Sequence, residues 1–287
     1  MHRLGTSSEG ELPEAIAADA RSRLRSYNLN QQAPDTTSAD WGSQVQPLDV
    51  STLAEVLNVT IGAPLPAIPG EGCAEGLLIP VPGGFVARVA PSSTHRWRLT
   101  LCHELAHTYF YDHRHAVPLR PRAMRPSPLE EQLCFDAARH MLAPLPEVHE
   151  YTAATTPIDQ LSFVVERFAV SPSIAADQDR RVRSDSVMIS IWRQHQDGSV
   201  AKRGYPTKPF SRVFPDRRRI HQRIEPFVRR TLAEGRRIFS SITITFKHKT
   251  SGQYINRKLD LQTLPWSAEY RVVLVSVSLS EDQALPL

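Results

Sequence analysis

The sequence predicts an α+β protein in which a helix-rich N-terminal part is followed by a smaller, strand-bearing C-terminal part. Two observations predict the split. Apolar residues recur at helical spacing as far as about residue 184. Beyond Ser184 they take strand spacing, in Val187 to Trp192, Ile242 to Phe246, and Val273, Val275 and Val277. A third observation, the length of 287 residues, allows one sizeable core but favours two.

In chain order, Pro13 to Tyr27 reads as a helix, with proline at its first position and Ile16, Ala17, Ala20 and Leu24 on one stripe. The polar, turn-rich stretch from Gln31 to Gly42 reads as a linker. Asp49 or Ser51 can cap a short helix that faces Leu53, Val56 and Leu57 to a core. Leu77 to Val81 and Phe85 to Val89, joined by Pro82-Gly83-Gly84, form a hairpin signal. A helix from about His95 to Tyr111 follows the cap candidates Ser92, Ser93 and Thr94. Ser127-Pro128-Leu129-Glu130 is a capping box that opens a helix running to about Leu142, before Pro144. Thr156-Pro157 and Ser171-Pro172 open two further helices separated by Ala169-Val170, a helix-turn-helix pattern. The expected division is residues 1–42 (helix and linker), 43–184 (main domain, with the helix-turn-helix at 155–183) and 185–287 (an α/β domain).

Composition narrows the function classes. The first nine residues contain no apolar core of signal-peptide length, and no stretch approaches ~18 uninterrupted apolar residues. No membrane partner is expected. Three cysteines, Cys73, Cys102 and Cys134, suit reduced thiols in a cytoplasm. From Arg180 to Asp260 there are 20 Lys and Arg against 6 Asp and Glu, while the rest of the chain is net acidic. This basic block centres on Arg217, Arg218, Arg219, Arg223, Arg229 and Arg230, around a helix with Ile220, Ile224, Val228 and Leu232 on one face and Pro226 inside it. Exposed arginines there would attract an acidic partner or nucleic acid, or simply solubilise the domain.

The chemistry centres on His103-Glu104-Leu105-Ala106-His107. Two histidines four apart on a helix differ by about 40° around the axis, so both imidazoles can reach one ion. Glu104 is rotated about 100° from His103, beside the ion, where it can act as general base. A catalytic zinc, one per chain, needs a third protein ligand and an open position. His113 has the right spacing for a histidine-rich site, but Phe110 stands where such sites turn on glycine. Glu131 is preferred, because the capping box occupies Glu130 and leaves Glu131 without a local partner. Candidates for stabilising an oxyanion are Tyr109, Tyr111, His113 and His140, and the sequence does not choose among them.

The run Arg96-Trp97-Arg98-Leu99-Thr100-Leu101-Cys102-His103-Glu104-Leu105-Ala106-His107 resembles the ImmA/IrrE family of metallopeptidases. So do Glu131 followed by Met141-Leu142-Ala143-Pro144, the segment Pro47-Leu48-Asp49-Val50, and Glu166-Arg167-Phe168-Ala169-Val170-Ser171. The chain departs from the family pattern at Phe135, Ala137 and Ala143. The resemblance implies a zincin-like metallopeptidase domain, a helix-turn-helix segment and a sensor-like C-terminal domain. It also implies a narrow-specificity protease that cuts a helix-turn-helix repressor in a stress or mobile-element response. An extended substrate would then pair with an edge strand, for which Phe85 to Val89 is the candidate. The competing readings are a DNA-binding regulator and an immunity component, each with a non-catalytic metal site.

Overall fold

The computed structural model describes residues 11–31, 47–66, 75–112, 117–118, 126–150, 156–213, 218–247, 254–267 and 272–279. Its fold is α+β, and the chain divides into two compact units. The first is Met1–Pro144 with Val164–Ser171; the second is Leu145–Phe163 with Pro172–Leu287. This division differs from sequence boundaries at 42 and 184.

The first unit opens with α1 (Leu12–Gln31), which buries Leu12, Ile16, Ala17, Ala20 and Leu24 along one stripe. Helix α2 (Val50–Val56) is capped by Asp49, whose carboxylate accepts from the Ser51 and Thr52 amides. That decides between the two cap candidates. The chain leaves α2 through Asn58 at φ 57, the left-handed exit that asparagine tolerates better than most residues. A three-stranded sheet follows, in the order β1 (Val59–Ile61), β3 (Gly84–Val89), β2 (Gly76–Val81). β1 pairs with β3 in parallel, and β2 pairs with β3 as an antiparallel hairpin. The hairpin turns on Pro82 and Gly83; Gly83 takes φ 85, a conformation that side chains resist.

β3 is therefore the central strand, and the expectation that Phe85 to Val89 forms an edge is corrected. The three-residue β1, too short to register in the sequence, occupies one side of β3. The outer strands of this sheet are β1 and β2. Phe85, Ala87 and Val89 alternate inward on β3, and α3 (Thr94–His107) packs against both β2 and β3. α3 ends four residues earlier than expected and gives way to a 3-10 turn (Thr108–Phe110) and the short pair β4 (Tyr111–Asp112) and β5 (Val117–Pro118). α4 (Pro128–Leu142) starts where the sequence places it, with the Ser127 hydroxyl accepting from the Glu130 amide and proline at the helix start. α4 packs on α3 and on α1.

In the second unit, α5 (Leu145–Glu150) and α7 (Pro172–Val182) pack together, and α7 also lies against β6 (Val187–Gln194) and β7 (Val200–Pro206). α6 (Pro157–Phe168) spans the boundary between the units. α6 and α7 are joined through Ala169, a non-glycine residue at φ 47, so the expected helix-turn-helix connection is present. A helix that reads DNA must offer an exposed row of side chains to base edges. In α7 the six consecutive residues from Ile174 to Asp179 are all buried, which leaves no such row over this stretch.

The sheet of this unit has the order β7-β6-β10-β9-β8, with β8 (Ile238–Lys247), β9 (Tyr254–Ser267) and β10 (Val272–Leu279). Every pairing in it is antiparallel, so the unit is α+β rather than the α/β arrangement expected. The short α8 (Lys208–Val213) follows β7, and α9 (Arg218–Glu234) packs on the sheet. Ile220, Ile224 and Val228 of α9 share a core with Met188, Trp192, Phe210 and the sheet residues Leu259, Leu261, Val273 and Val275. Pro226 lies inside the helix on its exposed side, where the missing backbone donor is tolerable. Among the described residues, no helix is long and apolar enough to cross a membrane.

Candidate metal centre

Every residue of α3 from Thr100 to His107 is buried. His103 and His107 sit one turn apart on this stretch, and Glu131 reaches them from the first turn of α4. His103 Nε2 lies 3.1 Å from His107 Nε2 and 3.1 Å from Glu131 Oε2. His107 Nε2 lies 3.6 Å from Glu131 Oε1. Ligand atoms bound at 2.0–2.1 Å to a tetrahedral ion stand about 3.3 Å from one another. One donor atom from each of the three residues lies within 4.8 Å of the others, close to the spacing that a shared ion requires. The residues fit a metal ion.

The electrostatics agree with that fit. Burial, reinforced by the neighbouring His107, pushes the His103 imidazole down to about 3, so it is neutral at physiological pH with a lone pair to offer. Its Nδ1 is buried without a hydrogen-bond partner among the described residues. His107 is oriented from behind. Its Nδ1 lies 3.0 Å from Glu130 Oε1, a contact buried on both sides, and 3.4 Å from Cys134 Sγ. Such carboxylate–histidine pairs fix the ring and raise its basicity as a ligand.

Glu130 is the functional residue that sequence reasoning missed. Its amide does join the cap, but its carboxylate serves His107. The signal that could have found it is the adjacency of two carboxylates at a helix start, since a ligand histidine needs an acceptor for its second nitrogen.

Glu104 lies beside the donors and is buried. Burial, then the charge of Glu131, push its carboxyl up to about 8, while the Leu78 amide hydrogen bond opposes the rise. Neutralising Glu131 with a cation would remove the second of these causes. The Leu78 amide belongs to the open edge of β2. The Ala90 amide donates to the Glu75 carbonyl, so alternate residues, 76, 78 and 80, turn their backbone groups away from β3. Gly76, on the same edge, touches the Glu104 carboxylate so closely that no side chain fits. Opposite, Phe135 stacks its ring 4.2 Å from that of His103 while remaining 40% exposed.

The other candidates sort as follows. The Tyr109 hydroxyl donates to Asp19 on α1 at 2.7 Å, so it ties helices together rather than facing the donors. Tyr111 is buried edge-on against Phe85, with ring centroids 5.2 Å apart. His140 is buried nine residues beyond Glu131 on α4, about 13 Å along the axis and on the opposite face, too far to act there. His113 and Cys73 lie outside the described residues, as does Arg217. Arg218 and Arg219 start α9, and Arg223 is exposed on it. Arg229 pairs with Glu225 at 2.7 Å and Arg230 with Glu234 at 2.6 Å, and both remain exposed.

No protein-family model matches the sequence, and no curated protein matches it. Among solved structures, a Mycobacterium tuberculosis transcriptional regulator is similar, at 12% sequence identity and a TM-score of 0.39. The match covers 95% of this chain and 81% of that one. A likeness at that score carries no weight for function.

Proposed function

We propose that the chain is a zinc-dependent endopeptidase of narrow specificity, holding one zinc per chain through His103, His107 and Glu131. The observation that carries this reading is that one donor atom each from His103, His107 and Glu131 lie within 4.8 Å of one another, with the buried Glu104 close enough to feel the charge of Glu131. Two imidazole nitrogens and one carboxylate oxygen are a donor set that suits zinc and is poor for magnesium or calcium. Three protein ligands leave a position open, as catalytic sites do and structural ones do not. Zinc, when bound, supplies a Lewis acid that polarises a carbonyl and makes water acidic near neutrality.

The protein's own groups supply the rest. Glu104 takes the proton of the attacking water on its carboxylate and delivers it to the amine that leaves. Its position under the β2 edge, against Gly76 and the Leu78 amide, brings the base beside a strand able to align an extended peptide. Phe135 and the β2 edge border the donors, so a substrate backbone enters between them. An open strand edge beside the base supports a protein substrate. The resemblance to ImmA/IrrE peptidases makes a helix-turn-helix repressor the first to test.

The test pairs two variants. Glu104→Gln should retain zinc and lose turnover of a repressor substrate by a factor on the order of 10²–10⁴, whereas His103→Ala should lose both. Wild-type turnover in Glu104→Gln would overturn Glu104 as the base, and no turnover in the zinc-loaded wild type would leave a binding role only.

A further inference from the structure

Among the described residues of the second unit, several arginines meet carboxylates. Besides the two pairs on α9, Arg236 meets Glu234 at 2.7 Å, Arg237 meets Asp159, and Arg183 meets Asp179 at 2.7 Å and Asp185 at 3.0 Å. A cleft of about 560 Å³ is bordered by α7, β7 and α8. Arg180, Arg203 and Lys208 converge on it, together with Asp177, Tyr205 and the Ser211 hydroxyl.

These groups are not equivalent. Arg180 is fixed in the wall, donating through Nε and Nη2 to Asp177 Oδ1 at 2.8 and 2.6 Å. Asp177 is shared with Arg181 at 3.1 Å, so two guanidiniums already divide its single charge. Arg203 lies over the Tyr205 ring, 5.4 Å from its centroid, and is exposed. Neither Arg203 nor Lys208 has a carboxylate partner among the described residues. The cleft therefore pairs one immobilised guanidinium with two free cations, and three positive groups face one negative one.

We propose that this cleft is a binding site for a small phosphorylated molecule, whose phosphate is held by Arg180, Arg203 and Lys208. A phosphate near charge −2 matches the surplus of about two positive charges, and its tetrahedral oxygens suit a guanidinium fork beside a lysine point charge. The volume falls in the range of small-ligand sites, roughly 300–1,000 Å³. Nucleic acid fits less well, since it needs a run of cations along its backbone. The proposal is independent of the peptidase reading, because no residue of the cleft belongs to the metal centre.

The test is calorimetric titration of the full chain with inorganic pyrophosphate. Saturable binding is expected in the wild type and in the control Arg229→Ser/Arg230→Ser, which loses the same charge from α9. Arg203→Ser/Lys208→Ser should weaken it roughly 10- to 100-fold, the usual weight of hydrogen bonds to charged groups. Ser211→Glu, which adds a carboxylate to the cleft, should weaken it as well, and all four proteins should melt alike. Equal weakening in the control and cleft variants, or no saturable binding to the wild type, would overturn the site. Tighter binding of a DNA duplex that displaces pyrophosphate would overturn the small-molecule assignment in favour of nucleic acid.

Discussion

Gly76→Ala tests how closely β2 is fitted to the metal centre. A Cβ at this position would stand 2.4 Å from Glu104 Oε1, 2.9 Å from Glu104 Cδ and 2.8 Å from Thr100 Cγ2. Ordinary contacts begin near 3.5 Å, so about 1 Å of clearance must be found. Glu104 is buried and accepts the Leu78 amide, so it cannot swing away without leaving that donor unsatisfied. Thr100 is β-branched and held on the same helix, with little rotamer freedom. The strand must therefore lift from α3. Overpacking of this kind costs about 1–3 kcal/mol of stability, and a 1 Å misplacement of reacting groups costs on the order of 10²-fold in rate. Zinc content should not change, because the donors sit on α3 and α4. The measurements are metal content, thermal melting and peptide hydrolysis. Gly83→Ala in the same hairpin is the control; it has nothing within 4 Å but sits at φ 85, so it should lose stability and keep turnover. Wild-type turnover in a folded Gly76→Ala, or loss of its zinc, would refute the reasoning.

Glu130→Gln should keep the fold and lower zinc affinity about 10- to 100-fold, as losses of such outer partners do; a chelator competition titration measures it. An unchanged affinity would reduce Glu130 to a helix cap. Asp179→Ala should destabilise the second unit by about 1–3 kcal/mol, because the buried Arg183 guanidinium keeps only Asp185 and Gln160 as partners, and a denaturant titration reads the loss. The Cys102 thiol, pushed up to about 12 by burial, should resist alkylation in the folded protein at pH 8 and react only on unfolding. Labelling followed by mass spectrometry decides this.

Where the sequence was informative, local chemistry fixed the outcome. Ser127 and Pro128 set the start of α4, and the apolar stripe of α1 is buried as its spacing requires. The spacing of His103 and His107 likewise carried over directly, because helical geometry converts four residues into one face. Legibility ended where partners are distant in sequence. Nothing near Phe85 shows that a three-residue β1 will pair beside it and make β3 the central strand. Glu130 and Glu131 both flank the buried face of α4, and only the arrival of His107 decides what Glu130 does. Strand β9 escaped notice because Asn256, Arg257, Lys258, Asp260 and Gln262 dilute its apolar residues, and Pro265 reads as a break. In α7, the buried Asp179 and Gln178 run against composition; Asp179 is compensated by Arg183, which also meets Gln160.

Both helices that supply the donors are fastened to α1 as well as to each other. Asp19 accepts the Tyr109 hydroxyl just past the end of α3, and Arg21 donates to the Met141 carbonyl at the end of α4 at 2.8 Å. Asp19 is itself braced by Arg23 at 2.7 Å. A fragment cut at the polar linker, beginning at residue 43, would retain His103, Glu104, His107, Glu130 and Glu131. It would nevertheless have lost the brace that sets the angle between the two helices, and the apolar stripe of α1 that covers α4. The piece that keeps both helices braced on α1 is therefore longer than the piece that contains the candidate ligands, and it begins near Leu12.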